Sequence, residues 1–305
     1  MRADSRWAGA GFVALALLTG VAQAQELTPR AYAPNPTGGN IFLLGYARST
    51  GAVLFDPTLP LDDVDATINA GSLVYGRTFG LFGRSAAAQL VVPYLWGGVE
   101  GLVEGTPVDR TGSGLGDVRG KLTFNLVGGP ALKPREFAAF HSKTILGVSV
   151  EVMAPTGEYH PEQLVNIGAN RWSIKPEIGI SKTHGPWYIE LYGGVWFFGT
   201  NTDFNGGLVR EQAPLGAFQA HVSYFFKPRL WLAADWTFYT GGRTTVAGTV
   251  KVDLVANTRF GLTLAVPVAR RAALRVAWST GMTTRIGSDF DTLSAGLQVV
   301  WFRGS

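Results

Sequence analysis

The chain has 305 residues, contains no cysteine and carries a formal net charge of +4. Charged residues make up only 16% of the sequence, which is lean for a soluble protein, and the lack of cysteine excludes a small secreted fold held by disulfides. The positive charge is weak and dispersed, so the composition gives no support for nucleic acid as a partner.

The first predicted element is a secretory signal peptide over residues 1–24. Two arginines precede an apolar run, and Ala22 and Ala24 supply the small residues of a cleavage pattern. The apolar run is too short to span a bilayer as a helix, which needs about 20 residues. We therefore expect export, cleavage after Ala24, and an N-terminal periplasmic segment over residues 25–40.

Twelve segments with alternating apolar and polar residues follow, and a period of two is the signal of a β-strand. They lie near residues 41–50, 66–79, 85–96, 115–127, 143–154, 171–183, 187–199, 215–226, 230–241, 252–266, 272–283 and 289–302. At about 10 to 15 residues each they are longer than most globular strands. Strands of about ten residues, tilted by about 40°, span the hydrocarbon core of a membrane.

The seventh segment shows what each side of such a strand contacts. Its odd positions from Trp187 to Phe197 are mostly large apolar residues, whereas Glu190 stands among the even positions. We predict that the odd side faces lipid and that the even side faces a polar interior. A sheet in lipid must close on itself, because an open edge would leave backbone groups without hydrogen-bond partners.

The connections alternate in length. Tight turns follow the second, sixth, eighth and tenth segments, and longer loops rich in Gly and Pro follow the first, third, fifth, seventh and ninth. Outer-membrane barrels show this alternation, with short periplasmic turns and longer external loops. Two connections depart from it, because residues 128–142 are long for a periplasmic turn and residues 284–288 are short for an external loop.

These patterns predict an all-β fold: a closed, antiparallel, up-and-down transmembrane β-barrel of about 12 strands. The barrel would cover residues 41–302, followed by a C-terminal tail over residues 303–305. Its place would be the outer membrane of a Gram-negative bacterium, with the lipid of that membrane as a partner. The Pro-rich segment 25–40 and the external loops are expected to narrow the bore.

Polar residues at inward positions form the candidate solute path. The inward charges comprise five acids, including Asp117, and five bases. A polar lining that sorts solutes is one interpretation, and an ion-paired network that fills the lumen is the other, since opposite charges relieve one another in a confined interior. The candidate lining residues are Arg119, Lys121, Glu151, Lys175, Glu177, Tyr188, Glu190, Tyr192, His221, Asp235, Arg259 and Arg275. Further aromatic residues on the same side are Trp196, Trp231 and Tyr239.

Tryptophans near the ends of segments fit the aromatic girdles of a membrane barrel. Those in such positions are Trp96, Trp172, Trp187, Trp231 and Trp301. Ordinary aromatic packing is the alternative for each of them.

The sequence predicts no catalytic residue, no metal site and no cofactor. His221 lies on an inward face beside Ser223, but no GxSxG motif surrounds any serine and the spacing supplies no third member of a triad. The glycines of GSGLGD at 112–117 do not complete a phosphate-binding loop. They are expected to mark a bend where a loop enters the fourth strand.

Three stretches resemble a known family, the outer-membrane transporters named for the MetA pathway of phenol degradation. They are SGLGDVRGKLTFNLVG at 113–128, VMAPTGEYHPEQLVNIGANRWSIKPEIGIS at 152–181 and DFDTLSAGLQVVWF at 289–302. The resemblance covers nearly the whole chain after the signal peptide. It implies a transmembrane barrel with a role in the uptake of small, aromatic compounds, and it carries over no binding residues.

The predicted function is a porin-like outer-membrane channel for passive uptake of a small, aromatic or hydrophobic solute. The protein is not expected to be an enzyme, and its oligomeric state is not predicted. Three alternatives stay open at this point: a structural barrel that transports nothing, a hydrolase embedded in the barrel, and a soluble exported barrel. The last is disfavoured because large apolar side chains would then coat its outside.

Overall fold

A computed structural model describes residues 27–54, 61–103, 106–141, 143–163 and 166–302. The predicted signal peptide, the first two residues after it and the predicted tail 303–305 lie outside the described residues. In the part of the chain that is described, no helix has the length and apolar character needed to cross a membrane.

The described residues form seventeen strands and one short helix. The strands are β1 (Gly39–Leu54), β2 (Leu61–Leu81), β3 (Arg84–Val103), β4 (Thr106–Leu115), β5 (Arg119–Val127), β6 (Thr144–Met153), β7 (Ser173–His184), β8 (Trp187–Phe198), β9 (Asn201–Phe204), β10 (Leu208–Gln212), β11 (Leu215–Lys227), β12 (Leu230–Gly241), β13 (Thr244–Val246), β14 (Thr249–Val250), β15 (Val255–Ala269), β16 (Ala272–Thr283) and β17 (Gly287–Phe302). Helix α1 (Pro134–Phe137) lies in the long connection between β5 and β6.

The predicted twelve-stranded antiparallel barrel is confirmed. β1 pairs with β17 along its whole length, from Gly39 opposite Phe302 to Leu54 opposite Gly287, and this pairing closes the ring. β4 and β5 are two parts of the fourth barrel strand, because both pair with β3, β4 with its later residues and β5 with its earlier ones. The bend expected at the GSGLGD glycines is the break between these two parts.

The predicted sidedness of the strands is also confirmed. On β8 the odd residue Leu191 is 57% exposed on the outer surface, whereas its neighbour Glu190 has no exposure at all. The same alternation holds on β12, where Leu232 and Trp236 are exposed and Asp235 is buried. A belt of large apolar side chains therefore faces outward, as lipid requires.

Three of the five tryptophans assigned to the girdles have the outward exposure that this position requires, Trp301 is half-buried, and the assignment is wrong for Trp231. Trp96, Trp172 and Trp187 are exposed on the outer surface, but Trp231 is buried inside the barrel. Its ring packs there beneath the guanidinium groups of Arg30 and Arg275, at 5.7 and 5.5 Å from the ring centroid. Trp231 lies near a strand end, as a girdle residue does, but it occupies an inward-facing position of β12, so its side chain points into the barrel.

Two of the predicted external loops contain a small sheet of their own. β9 and β10 come from the connection after β8, β13 and β14 come from the connection after β12, and the four strands pair in the order β14-β13-β10-β9. These strands have two to five residues each, too few for an alternation to be recognised in the sequence. The sheet forms because β10 of one connection pairs with β13 of the other.

Candidate functional site

The barrel interior has two unlike walls. The charged wall is the inward face of β5, β6, β7, β8, β11, β12, β15 and β16, and it carries all twelve predicted lining residues. The small-residue wall is the inward face of β17, β1, β2 and β3. Between Ile41 and Ala47 on β1 and between Thr292 and Val300 on β17, the inward positions of this second wall hold no charged residue.

One cluster of the charged wall alternates in sign across three neighbouring strands. Lys121, Glu151 and Lys175 lie opposite one another on β5, β6 and β7. Glu151 Oε2 lies 3.9 Å from Lys121 Nζ and 3.5 Å from Lys175 Nζ, and Arg119 Nη1 lies 3.8 Å from Glu151 Oε1. Glu177 joins this cluster. Its Oε1 lies 3.5 Å from Lys121 Nζ, and its Oε2 lies 3.5 Å from Lys175 Nζ. Paired in this way, buried charges offset much of the cost of leaving water.

A second cluster lies in register across β8, β11 and β12. Glu190 is opposite His221, and His221 is opposite Asp235. His221 Nδ1 and Asp235 Oδ1 share a hydrogen bond of 2.7 Å, and the Thr263 hydroxyl donates to the other Asp235 oxygen at 2.7 Å. The hydroxyl of Tyr192 donates to Glu190.

The sequence spacing did not reveal the pairing of His221 with Asp235, because it depends on strand register. His221 Nε2 and Ser223 Oγ make no hydrogen bond with any described residue, but both residues have no solvent exposure. A substrate in the lumen would therefore not reach them in this conformation.

The N-terminal segment lies against the charged wall. Residues 27–32 of the predicted segment 25–40 are inside the barrel instead of in the periplasm, which accords with the expectation that this segment narrows the bore. The backbone N–H of Arg30 donates to Glu190 Oε2 at 2.8 Å, and that of Ala31 donates to the Tyr192 hydroxyl at 3.2 Å. The Arg30 guanidinium lies 4.8 Å from the ring centroid of Phe225, a cation–π distance.

Tyr32 occupies a seat built for an aromatic ring. Its ring lies over Gly147 and Gly179, which are opposite one another on β6 and β7, and a Cβ on either glycine would come within 2.3 Å of that ring. The Tyr32 hydroxyl donates to Glu177 Oε1 at 2.9 Å and lies 3.1 Å from Ser149 Oγ. Tyr192 packs edge-on against the ring at 4.9 Å between centroids.

Three other predicted lining residues, Tyr188, Arg259 and Arg275, also lie against protein groups. Tyr188 donates to Ser181 Oγ at 3.1 Å. Arg259 donates to the backbone oxygen of Phe290 at 2.6 Å. Glu190 and Arg275 both lie close to the N-terminal segment, and the charge of Arg275 faces that of Arg30. Most of the predicted path is therefore packed against the N-terminal segment or against other strands.

The sequence analysis did not predict that the small-residue wall contributes to the lining that solvent reaches. The inward residues of this wall near mid-height are half-buried, so solvent reaches them, and apart from Gln298 they are small or aliphatic; they include Ile41, Leu43, Gly45, Ala47, Ala70, Ser72, Val74 and Ser294. No polar cluster marks these positions. The available signal was the opposite one: inward positions on the first and last strands that carry no charge.

Asp117 connects three of the motifs that carry the family resemblance. Its Oδ1 accepts from the backbone N–H of Gly157 and its Oδ2 from that of Ala169, both at 2.8 Å. Gly157 and Gly168 touch backbone to backbone, and a Cβ on Gly168 would lie 2.7 Å from Gly157. The GLGD, PTGE and NIGANRW motifs thus form one clamp that folds the external loop 154–172 onto the barrel rim.

A buried arginine extends this clamp toward the small external sheet. Arg171 donates to Gln212 Oε1, and its guanidinium lies 4.7 Å from the ring centroid of Phe198. Burial, and after it the neighbouring charge of Arg210, lowers the pKa of Arg171. Hydrogen bonding and ring stacking stabilise the charged form against that cost.

Comparisons with known proteins agree with this architecture. A family model, described as the MetA-pathway of phenol degradation, matches residues 44–295. The crystal structure of an outer membrane channel from Pseudomonas putida F1 is similar, with a TM-score of 0.77 and 24% identity over 90% of this chain and 100% of that one.

More distant barrels share the architecture. The beta domain of the Bordetella autotransporter BrkA has a TM-score of 0.51 and 10% identity, over 87% of this chain and 100% of that one. The transport unit of the autotransporter AIDA-I from Escherichia coli has a TM-score of 0.51 and 12% identity, over 93% and 96%. No curated protein sequence matches the chain. At these identities the likeness establishes the fold.

Proposed function

Because the chain belongs to the family named for the MetA pathway of phenol degradation, we propose that it is a channel through which small, aromatic or hydrophobic solutes diffuse passively across the outer membrane. The single observation that carries the proposal is the contrast between the two walls. The N-terminal segment covers much of the charged wall, while the inward residues of the small-residue wall keep contact with solvent.

The chemistry of the small-residue wall suits an apolar solute. Ile41, Leu43 and Val74 present aliphatic side chains to the lumen, whereas Gly45 and Ala47 leave space beside them. Contact with such a wall removes apolar solute surface from water, which is favourable by about 25 cal/mol per Å². A sugar would lose more hydration there than the few polar groups of Ser72, Ser294 and Gln298 can replace by hydrogen bonds. Diffusion along this wall therefore favours a ring over a polyol of similar size.

Replacing Ala47 with tryptophan tests this path. Ala47 faces the lumen and lies opposite Ala70 on β2 and Ser294 on β17. An indole at this position would therefore project into the lumen. We expect single-channel conductance in planar bilayers to fall by roughly half or more, because the narrowest cross-section controls ion flow. The matched control is Leu44→Trp, three residues away on the lipid-facing side, which is expected to leave the conductance unchanged.

Phenol, as a small neutral ring, probes the solute preference in the same recordings. We expect phenol in the bath to interrupt the ion current through the wild-type channel, and glycerol to leave it unaffected. A wild-type protein that inserts without any conductance would instead support the structural barrel that transports nothing. Equal conductance of Ala47→Trp and wild type would show that ions take another route.

A further inference from the structure

We infer that the lumen prefers anions over cations, that Arg119, Lys121 and Arg275 set this preference, and that the solute class is a small carboxylate with an apolar body. This inference rests on the proposed channel function and specifies the solute for the same path. The inward acids and bases are equal in number, but solvent reaches only some of them, and the inference is based on that difference.

The five inward acids are all withdrawn from the lumen. Their exposed fractions lie between 0 and 5%, and they are Asp117, Glu151, Glu177, Glu190 and Asp235. Each also has close positive or hydrogen-bonding neighbours. The lysines flank Glu151 and Glu177, the Arg30 backbone and Tyr192 bind Glu190, and His221 and Thr263 bind Asp235. The five carboxylates therefore do not touch a passing ion. Glu151 and Glu177 offset part of the positive charge of Arg119 and Lys121 beside them, but with Lys175 the cluster holds three bases against two acids and keeps an excess of positive charge.

The inward bases behave differently. Lys175 and Arg259 are buried, but the side chain of Arg119 is 27% exposed and that of Lys121 is 16% exposed. Arg275 is also half-buried and not fully enclosed. Three of the five inward bases therefore keep contact with solvent, while none of the five acids does. Arg30 of the N-terminal segment adds a sixth positive charge to this interior.

The three accessible bases lie along both edges of the small-residue wall. On one side, Arg119 and Lys121 of β5 are opposite Val91 and Gln89 of β3. On the other side, Arg275 of β16 is opposite Gly296 of β17, which in turn is opposite Gly45 of β1. A solute that moves along the small-residue wall therefore has basic side chains at both edges of its path.

This arrangement matches a molecule with two parts. An aromatic or alkyl body can contact the aliphatic residues of the small-residue wall, and a carboxylate can turn toward a guanidinium at its edge. Guanidinium groups bind carboxylates with a planar fork of N–H donors. Since these side chains stay partly hydrated, such binding is weak enough to allow release, which conduction requires.

The reversal potential of the wild-type channel in a KCl gradient tests the inference. We expect a sign that reports chloride as the more permeant ion. One basic charge about 6 Å from the ion path, in water at physiological salt, changes the anion-to-cation permeability ratio by about threefold. The single variants Arg119→Gln, Lys121→Gln and Arg275→Gln should each lower the ratio by that factor, and the triple variant should abolish the preference.

The matched control is Arg48→Gln, which removes the same charge from an outward-facing position on β1. It is expected to keep the wild-type ratio. Replacing chloride with benzoate, and potassium with benzyltrimethylammonium, then compares two ring ions of opposite charge. We expect benzoate to permeate and the ring cation to be excluded.

The outcomes separate this inference from the proposed function. A channel that conducts and is blocked by Ala47→Trp, yet shows no preference or prefers cations, would overturn the inference and leave the channel function standing. An absence of conductance in the wild type would remove both. Equal permeability ratios in the wild type and the triple variant would assign the preference to other residues.

Discussion

Replacing Gly147 with valine is expected to raise the single-channel conductance by roughly threefold or more. A barrel of twelve strands, tilted by about 40°, has a backbone radius of about 12 Å, so a chain segment inside it blocks a large share of the bore. The N-terminal segment enters this space, and its Tyr32 ring rests on Gly147. A valine there would place its Cβ within 2.3 Å of that ring, so the ring must leave its seat.

The barrel strand itself should tolerate this change. β-branched residues are favoured in strands, and the atoms nearest to the added Cβ all belong to Tyr32. Once Tyr32 leaves, Glu177 and Ser149 lose a hydrogen-bonding partner, and water can enter to replace it. The remaining contacts are those of Arg30 and Ala31 with Glu190 and Tyr192 and those of the Arg30 guanidinium with three aromatic rings. We expect that they no longer hold the segment in one position.

Bilayer recordings give the conductance, and cysteine labelling reports the position of the segment. Because the chain has no cysteine, Ala31→Cys introduces a single thiol, which should react slowly with a membrane-impermeant maleimide in the wild-type background and rapidly beside Gly147→Val. The matched control is Gly193→Val, whose Cβ would meet only Phe218 at 3.6 Å. Fast labelling with unchanged conductance would mean that this segment does not limit ion flow.

Replacing Asp117 with alanine is expected to lower the free energy of unfolding by about 3 kcal/mol. The carboxylate accepts one backbone N–H with each oxygen, from Gly157 and Ala169, and is itself buried. Alanine would leave the buried N–H of Ala169 and the half-buried N–H of Gly157 without their acceptor. The external loop 154–172 should then detach from the rim and weaken the anchoring of Arg171 beneath the small external sheet.

Urea unfolding in detergent micelles, followed by tryptophan fluorescence, measures this loss. Asp117→Asn retains one carbonyl acceptor and should cost less than the alanine variant. The control is Asp109→Ala, which removes an exposed acid of the neighbouring strand β4 and should change the unfolding free energy little. Equal stability of Asp117→Ala and wild type would show that the clamp does not contribute to the fold.

Some properties of the site lay within reach of the sequence. Parity on each strand correctly placed Glu190, His221, Asp235 and the other candidate residues inside the barrel, because successive side chains of a strand point to opposite faces. The same rule failed to decide which inward residues meet solvent. The sequence does not predict the contact between His221 and Asp235, because that contact depends on the register between β11 and β12.

The accessible face of the lumen followed from contacts between distant parts of the chain. Tyr32 binds Glu177 from 145 positions away, and Arg30 binds Glu190 from 160 positions away. A charged residue at an inward position predicts a lining residue only if no other segment covers it. Here the N-terminal segment covers much of the charged wall, so the residues left open are the uncharged ones and three bases at their edges.

The sequence by itself determined the barrel, its number of strands and the side of each strand that meets lipid. These properties depend on a local repeat of two residues and on the need of backbone groups in lipid for partners, and both can be recognised one segment at a time. Only the tertiary structure decided that the N-terminal segment packs along one wall of the lumen, while residues of the other wall keep contact with solvent. That outcome depends on where the N-terminal segment packs, and this segment has no sequence repeat. Its position depends on the glycines that accommodate Tyr32 and on hydrogen-bond partners from strands far away in the chain.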